Sequence, residues 1–411
     1  MDKFISTYFL ENQIQLDYNK IPICFKPVEL HLNEKCSVKK LQEVINHALI
    51  TGEDAIFIVK KAEYFDEISS DIDVFNGIYS AVDCGIHFLL ISGDVSSSVG
   101  KINNDISYIC EVDAIYAFVI TRVLFEPLMS ISSDEISLED LVNRAIIKKA
   151  TLNSTLSMDW VLSNQEHKIN IIIPFRNVEL FIESCCESIL NQHYNNYNVF
   201  LIDDCSSDNS LNKIPKNEKF IVISNKKRKY ALENIIYVLN NYSFKSNEII
   251  LILDGDDSFS HEFVLPLINN IYYAKRCLLT YGSFKLMNSH KIFGSAYSRD
   301  EYRILRQATW KASHLKTFKF ELFDKYRKID SNFSHMKDKY QIFYLMTYDI
   351  ALMFPLLELA GFNKIFFVKE PLYLYRLHDN NDSVVDGQLQ YNIEIEIRAK
   401  KVVVDTENFL L

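Results

Sequence analysis

The sequence is poor in glycine, proline, tryptophan and cysteine: its 411 residues include 10, 8, 2 and 8 of them, respectively. So little glycine and proline excludes a collagen-like or low-complexity chain. No two cysteines form a Cys-x-x-Cys pair, and Cys185 and Cys186 are adjacent. We therefore expect reduced, buried thiols rather than a disulfide framework or a zinc site.

The sequence also lacks a run of the roughly 18 apolar residues that a membrane-spanning helix needs. Its first ten residues contain Asp2 and no long apolar segment, which is not typical of a secretory signal. Positive charge is in deficit, because 44 Lys and Arg face 54 Asp and Glu, and the net charge is −10. This balance predicts no nucleic-acid partner. The expected reduced thiols and the missing signal predict a cytoplasmic protein, whose membrane contact, if any, is peripheral.

What is present is an ordinary globular composition, 48% hydrophobic and 24% charged, over a length that suits two or three domains. In residues 1–130 a helical pattern that starts at Ser37 alternates with short apolar runs. This alternation predicts an N-terminal α/β domain with a largely parallel sheet. Such runs stop in residues 131–167, where a helical linker is expected. The apolar runs are 55–59, 86–91 and 114–120.

Residues 168–390 again alternate strand and helix patterns and predict a doubly wound α/β sheet, followed by a tail at 391–411. Ligands of such sheets bind at the carboxyl ends of the strands. Two acidic clusters stand at such ends: Asp203 with Asp204, and Asp254-Gly255-Asp256-Asp257. The predicted strands are 169–173, 199–202, 220–224 and 248–253.

Three short motifs in this second part could carry chemistry. The carboxylates of Asp254, Asp256 and Asp257 repel one another, and a bound Mg²⁺ or Mn²⁺ would relieve that repulsion. The alternative is a solvated Asp-Gly turn. Asp203 and Asp204 could accept hydrogen bonds from a base or from sugar hydroxyls, while the loop after them could equally cap the next helix.

The third motif is Pro174-Phe175-Arg176-Asn177, which follows the first strand of this part. Pro174 is predicted to stop that strand, because proline has no N–H for a strand ladder. The exposed backbone after it could then approach a flat ring.

In this order the motifs resemble those of glycosyltransferase family 2, whose members have the GT-A fold and use nucleotide-sugar donors. The likeness covers about residues 168–385. Downstream it includes Asp349 with Gly361, and the stretch from Glu370-Pro371-Leu372 through Tyr375-Arg376-Leu377-His378 to Ser383, which resembles the ending usual in that family.

The resemblance implies a metal-dependent, inverting transfer of a sugar to a hydroxyl of a glycan, glycolipid or glycoprotein. The implied cofactors are Mn²⁺ or Mg²⁺ and a nucleotide-sugar donor, with a UDP-sugar expected. The general base would be Asp349, and the metal ligands would be Asp256 and His378. The implied donor-binding residues are Pro174, Asn177, Asp203, Asp204 and Asp254.

The sequence departs from the family pattern in two places. Tyr230, after the basic run Lys226-Lys227-Arg228-Lys229, stands where the family often has glycine, and Tyr348 replaces the usual acid before Asp349. These departures favour the alternative hypothesis, a nucleotide-sugar-binding or scaffold protein of the same fold without catalysis. His335 and Asp338 are further candidates for the site. The basic run could bind diphosphate, an acidic acceptor or an anionic membrane, or it could be a solvated surface.

Two regions leave the interpretation open. Trp310 and His314 could line an acceptor pocket, or could belong to the core and cap a strand. Residues 114–122 faintly resemble a strand of family 25 transferases, and lysines 60 and 61 stand where a metal motif would be. The N-terminal part is therefore either a degenerate transferase domain or an unrelated α/β domain.

Overall fold

A computed structural model gives the structure of the chain, which divides into two compact units, Met1–Leu162 and Ser163–Leu411. The longest described stretches belong to the second unit. Strands and helices are numbered in chain order among the described residues. Those residues are 5–9, 25–27, 37–53, 55–59, 81, 86–95, 99–101, 106–109, 114–129, 137–138, 142, 149–152, 166–287, 289, 291–378 and 386–403.

The first unit contains a mixed sheet in which eight strands are described, in the spatial order β2-β1-β3-β7-β4-β8-β6-β5. Two α-helices of this unit lie among the described residues: α1 (Ser37–Thr51) and α2 (Phe125–Met129). The strands are β1 (Ile5–Phe9), β2 (Phe25–Pro27), β3 (Ala55–Val59), β4 (Phe88–Asp94), β5 (Val99–Lys101), β6 (Ile106–Ile109), β7 (Ala114–Thr121) and β8 (Lys149–Leu152).

The prediction of a largely parallel sheet in this unit is wrong. β7 lies between β3 and β4 and is antiparallel to both, with Phe57 opposite Val119 and Phe88 opposite Ile120. A continuous apolar run reports burial on both faces of a sheet, which antiparallel neighbours also provide, so it carries no information on strand direction.

Helix α1 is confirmed: Leu41, Val44, Ile45 and Ala48 are buried along one face, and the helix gives way to Gly52 at φ +78°. The helix expected from Ser137 falls mostly outside the described residues. At its expected end, however, β8 pairs in parallel with β4 and antiparallel with β6. The four residues of β8 therefore form a strand where a helical linker was expected. The reason is that a short strand takes its conformation from the strands beside it.

The second unit is built on a nine-stranded mixed sheet in the order β11-β10-β9-β12-β16-β14-β17-β13, with β15 added beside β14. The strands are β9 (Ile169–Phe175), β10 (Tyr197–Asp203), β11 (Phe220–Ser224), β12 (Ile249–Ile252), β13 (Ser258–Phe259), β14 (Leu279–Leu286), β15 (Ile292–Phe293), β16 (Lys316–Lys319) and β17 (Ile365–Tyr375). The α/β class with a mixed sheet is thus confirmed.

Seven helices of the second unit are described. They are α3 (Ile182–Leu190), α4 (Tyr230–Asn241), α5 (Val264–Lys275), α6 (Arg299–Arg303), α7 (Phe320–Ile329), α8 (Tyr348–Ala360) and α9 (Gly387–Ala399). None of the helices in the described parts of the chain is both long enough and apolar enough to cross a membrane.

Strands β11, β10, β9 and β12 are adjacent and parallel, so their carboxyl ends lie at one edge of the sheet. The prediction that Pro174 stops β9 is wrong, because the strand continues to Phe175 and Pro174 pairs with Ile202 of β10. β12 has already ended at Ile252, opposite Ile172, so no strand bond is lost where proline has no N–H to donate.

Helix α8 lies at the centre of the second unit's core, with every residue from Ile350 to Ala360 buried. Arg306 and Glu358 form a buried ion pair, with Nε 2.5 Å from Oε1. Helix α9 packs through Ile393 and Ile397, and Arg306 also donates to the carbonyl of Ile397. The first residues of the expected tail, from 391, therefore belong to a packed helix.

Candidate active site

The acidic motif 254–257 follows β12 at the carboxyl edge of the parallel strands. Directly after it, β13 pairs antiparallel with β17, so that Ser258 lies opposite Leu374. A Cβ on Gly255 would lie 2.5 Å from the Cβ of Phe175, so glycine is what allows this close approach. The motif is therefore held between the end of β17 and the end of β9.

Two tyrosines hold the outer carboxylates of the motif. The Tyr348 hydroxyl donates to Oδ1 of Asp254 over 2.6 Å. The Tyr373 hydroxyl lies 3.1 Å from Oδ2 of Asp254 and 2.6 Å from Oδ2 of Asp257, so it bridges the two. The backbone N–H of Arg376 donates to Oδ1 of Asp257 over 2.7 Å. These contacts fix Asp254 and Asp257 in place.

The environment of these carboxylates disfavours their negative charge. Burial, and after it the charges of Asp256 and Asp254, raise the pKa of Asp257 to about 9. Burial also raises the pKa of Asp254, although nearby Lys316 acts in the opposite direction. A bound cation would reverse this balance, because it stabilises the ionised carboxylates that would otherwise repel one another.

Asp256 points away from the tyrosines and meets His378. Nε2 of His378 lies 2.8 Å from Oδ2 of Asp256, and the two side chains are 16% and 21% exposed. Arg376 donates from Nε to the carbonyl of Asp256 over 3.0 Å and stacks its guanidinium on Phe181 at 4.6 Å. The expected metal ligands are thus adjacent and reachable from solvent.

This pair of side chains fits a divalent cation only in part. A carboxylate oxygen and an imidazole nitrogen are both suitable ligands for Mn²⁺. Among the described residues, however, no three His, Cys, Asp or Glu side chains are grouped so as to hold a metal by themselves. The remaining ligands would have to come from a bound anion or water, as is usual for Mg²⁺ at phosphate sites.

Asp349 lies in the first turn of α8, directly after Tyr348. The indole N–H of Trp310 donates to Oδ2 of Asp349 over 3.1 Å. Within the part of the chain that the structure describes, its other oxygen, Oδ1, accepts no hydrogen bond. Asp349 is half-buried, so Oδ1 is the atom that could take a proton from a bound hydroxyl.

A buried lysine that sequence reasoning missed lies at the base of this site. Lys316 is 1% exposed and begins β16 opposite Ile252, two residues before Asp254. Its Nζ lies 3.3 Å from Nδ1 of His314 and 4.9 Å from the ring of Tyr348. Burial, and then Lys316, lower the pKa of His314 well below its usual value, so the imidazole is neutral and Nδ1 can accept.

Asp203 and Asp204 are brought to the same edge but are occupied by contacts within the protein. Oδ1 of Asp203 accepts from the N–H of Ser206 over 3.0 Å. Asp204 accepts from the N–H groups of Lys229 and Tyr230 over 2.7 and 2.9 Å, at the start of α4. Both residues are 4% exposed. Asp204 therefore caps the start of α4, a contact that the sequence did not predict, and its contact with a donor stays a prediction.

Pro174 and Asn177 border this pair. Arg176 donates to the carbonyls of Asp204 and Cys205 over 3.0 and 2.5 Å, which ties the end of β9 to the loop after β10. Oδ1 of Asn177 accepts from the N–H of Ser207 over 2.8 Å. The two acidic clusters are thus joined through β9, since Phe175 also contacts Gly255.

Tyr230 occupies the conformation in which glycine is favoured. Its φ is +64°, and the Arg228 guanidinium lies 3.9 Å above its ring. This observation agrees with the interpretation that Tyr230 stands in the place of the family's glycine. Arg228 also lies 3.8 Å from Oδ2 of Asp204, so one cation of the basic run faces the first acidic cluster.

Of the remaining candidates, Trp310 and His314 contact residues of the site, whereas His335 contacts Asp330. Trp310 donates to Asp349 and packs edge-on against Phe354 of the core, which agrees with the core alternative, while its place in an acceptor pocket stays a prediction. His314 stacks on Tyr373 with ring centroids 4.2 Å apart. His335 instead binds Asp330, through Nδ1 at 2.7 Å. Ser383 lies outside the described residues.

Comparison with known proteins relates part of the second unit to a protein family. Residues 170–327 match the family described as Glycosyl transferase family 2, which confirms the resemblance over that segment. The match ends before Asp349 and His378, so it does not bear on their predicted roles.

Two curated relatives carry glycosyltransferase names. One is the Escherichia coli UDP-Glc:alpha-D-GlcNAc-diphosphoundecaprenol beta-1,3-glucosyltransferase WfgD, 27% identical over 136 residues. That alignment covers 31% of this chain and 50% of the relative, so the chain spans half the length of that protein. The other is glycosyltransferase GlyG of Streptococcus pneumoniae serotype 4, 27% identical over 258 residues, covering 57% of this chain and 79% of GlyG.

Among solved structures, the crystal structure of S. aureus TarS 1-349 in complex with UDP-GlcNAc is similar, with a TM-score of 0.42 and 14% identity. The similarity covers 59% of this chain and 69% of that one.

Proposed function

We propose that this chain, whose residues 170–327 form a family 2 glycosyltransferase domain, transfers a sugar from a nucleotide-diphosphate donor to an acceptor hydroxyl. A UDP-sugar is the donor that we propose, and the acceptor is a glycan, a lipid-linked glycan or a glycoprotein. Mn²⁺ or Mg²⁺ assists, and the anomeric configuration inverts. The whole reaction takes place at the carboxyl edge of the parallel strands.

One observation carries this proposal. Tyr348 and Asp349 are consecutive residues, and the hydroxyl of Tyr348 donates to Asp254 of the acidic motif. The candidate base, Asp349, is therefore the sequence neighbour of a residue that contacts Asp254, one of the proposed donor-binding residues. A transferase needs this juxtaposition, because acceptor hydroxyl and anomeric carbon must be held within reacting distance.

The reaction is a single displacement. The acceptor oxygen forms a bond to the anomeric carbon while the bond from that carbon to the diphosphate oxygen breaks, and the diphosphate leaves with the electron pair. Oδ1 of Asp349 takes the proton of the acceptor hydroxyl, and the Trp310 N–H holds Oδ2 so that Oδ1 faces outward. One carboxylate acting as base is what an inverting displacement requires.

Charge on the leaving group must be stabilised as it develops. Asp256 and His378 are the residues that would hold a divalent cation, which supplies positive charge against the diphosphate. Arg376, whose guanidinium lies beside Asp256 and over Phe181, adds a fixed positive charge from the protein itself.

The experiment is nucleoside-diphosphate release from a panel of UDP-, GDP- and dTDP-sugars, with Mn²⁺ and with EDTA. Wild type should turn over one donor slowly without acceptor. Asp256→Asn should lose the metal-dependent rate, and Asp349→Asn should bind the donor but turn over slowly. Asp324→Asn is the matched control, since Asp324 pairs with Arg327 and Lys328 on the surface of α7.

Two outcomes would overturn parts of the proposal. Donor binding without turnover, under every metal and acceptor condition, would favour the alternative of a nucleotide-sugar-binding protein. No binding of any nucleotide sugar, measured by calorimetry with and without Mn²⁺, would remove the glycosyltransferase assignment altogether.

A further inference from the structure

The tyrosine that replaces the usual acid before Asp349 makes a direct contact across the site. Its hydroxyl donates to Oδ1 of Asp254 over 2.6 Å, although 94 residues separate the two in sequence. The Tyr348 ring also lies 4.9 Å from Nζ of buried Lys316. Tyr348 thus has a polar contact on one side and a cation on the other.

Nearby hydroxyls show that Asp254 is held from two directions. Tyr373 approaches its other oxygen, Oδ2, over 3.1 Å, but it also serves Asp257 at 2.6 Å. One phenolic proton cannot be donated fully to both carboxylates. Tyr348 is therefore the donor committed to Asp254 alone, and it comes from the helix that carries the candidate base.

We propose that Tyr348 is a positioning residue: it fixes the Asp254 carboxylate for donor binding and ties the first turn of α8 to the acidic motif. This inference rests on the proposed function. An acid at position 348 could not do the same, because an ionised carboxylate cannot donate a hydrogen bond and would repel Asp254. In this proposal, tyrosine at position 348 therefore has a function that an acid could not fulfil.

The test is Tyr348→Phe, which keeps the ring over Lys316 and removes only the hydroxyl. We expect the donor KM to rise on the order of tenfold, with a smaller change in kcat, because the lost bond acts through donor binding. Tyr348→Glu should lose more, through repulsion of Asp254. Tyr302→Phe is the matched control, since its buried hydroxyl donates to the carbonyl of Leu357 on the same helix.

A double-mutant cycle tests whether Tyr348 acts through Asp254. Asp254→Asn and the double variant Tyr348→Phe/Asp254→Asn should then have the same donor KM within about twofold. Additive losses, or a lowered kcat with an unchanged donor KM in Tyr348→Phe, would overturn the inference while leaving the glycosyltransferase function intact.

If wild type binds no nucleotide sugar, the proposed function fails and a ligand-free measurement still decides the contact. Urea unfolding of the same four proteins should show non-additive losses of stability if the hydroxyl and Asp254 are coupled. Additive losses would show that the hydrogen bond does not position Asp254, and the inference would fall with it.

Discussion

Trp310 and Asp349 are joined by a hydrogen bond from the indole N–H to Oδ2 over 3.1 Å. They come from different parts of the fold: Trp310 lies in the segment before β16, and Asp349 lies in the first turn of α8. In the proposed reaction, this bond leaves Oδ1 of Asp349 as the atom that would act on an acceptor. The indole would thereby determine which oxygen of the carboxylate serves as the base.

Trp310→Phe should therefore lower kcat on the order of tenfold without changing donor affinity, because a hydrogen bond to a charged acceptor is lost. The measurement is steady-state kinetics with a saturating donor, together with donor binding by calorimetry. The other tryptophan of the chain, Trp160, lies outside the described residues. Trp160→Phe is therefore needed as a reference when the tryptophan fluorescence of Trp310→Phe is measured. Weaker donor binding with unchanged kcat would contradict this role.

His378→Gln should raise the Mn²⁺ concentration required for half-maximal activity on the order of tenfold or more, because the proposed metal ligand beside Asp256 would be weakened. Activity is measured across a Mn²⁺ titration at a fixed donor concentration. His193→Gln, a histidine that stacks on Phe263, is the control for substitution itself. An unchanged titration curve would remove His378 from the metal site.

Lys316→Met should weaken donor turnover, because it removes a buried positive charge that favours ionised Asp254 while preserving the length of the side chain. We expect a loss on the order of tenfold in kcat/KM. Lys319→Met, on the same strand and half-buried, is the matched control. Equal activities of the two variants would show that the charge of Lys316 is not used.

The stability of the second unit should fall in acid through Asp330. Burial alone would raise the pKa of this group, but hydrogen bonds from Ser334 and His335 outweigh it and lower the pKa to about 2. A lowered pKa contributes stability that is complete above the unfolded value of about 4 and is lost as pH falls towards about 2. A shift of this size corresponds to roughly 2.5 kcal/mol, which solvent screening at this partly exposed group reduces to a value on the order of 1 kcal/mol.

Urea unfolding between pH 6 and roughly pH 2 measures this loss, with Asp330→Asn as the variant that should lack it. Asp300→Asn, an exposed carboxylate paired with Arg303, supplies the reference slope. A steeper acid dependence in Asp330→Asn than in wild type would contradict the assignment.

Local patterns predicted the four parallel strands β9 to β12 of the second unit, because a short apolar run bounded by polar residues indicates a strand directly. The run 220–224 coincides with β11, and the acidic motif does follow β12. The same patterns could not give strand direction in the first unit, or show that β9 continues through Pro174. Both depend on which strand lies alongside, which is a property of the fold.

For a similar reason, the sequence alone did not predict the contacts that organise the site. Tyr348 and Tyr373 lie within the downstream segments that resemble the family, but neither pattern predicts their contacts, and Lys316 belongs to no motif. Tyr373 meets Asp254 across 119 residues of sequence. The two departures from the family pattern, Tyr230 and Tyr348, were the signals present, and each proves to hold an acidic neighbour: the N–H of Tyr230 meets Asp204, and the Tyr348 hydroxyl meets Asp254.

The last described helix, α9, and the residues after it contact the segment before Trp310 and the helix that carries Asp349. Arg398 of α9 donates to the carbonyls of Arg306 and Ala308, just before Trp310. The N–H of Val403 donates to Oε2 of Glu358, on the helix that begins with Tyr348 and Asp349. These contacts brace α8 at Glu358 and the stretch that ends at Ala308, so removal of residues 387–403 should lower the stability of the second unit.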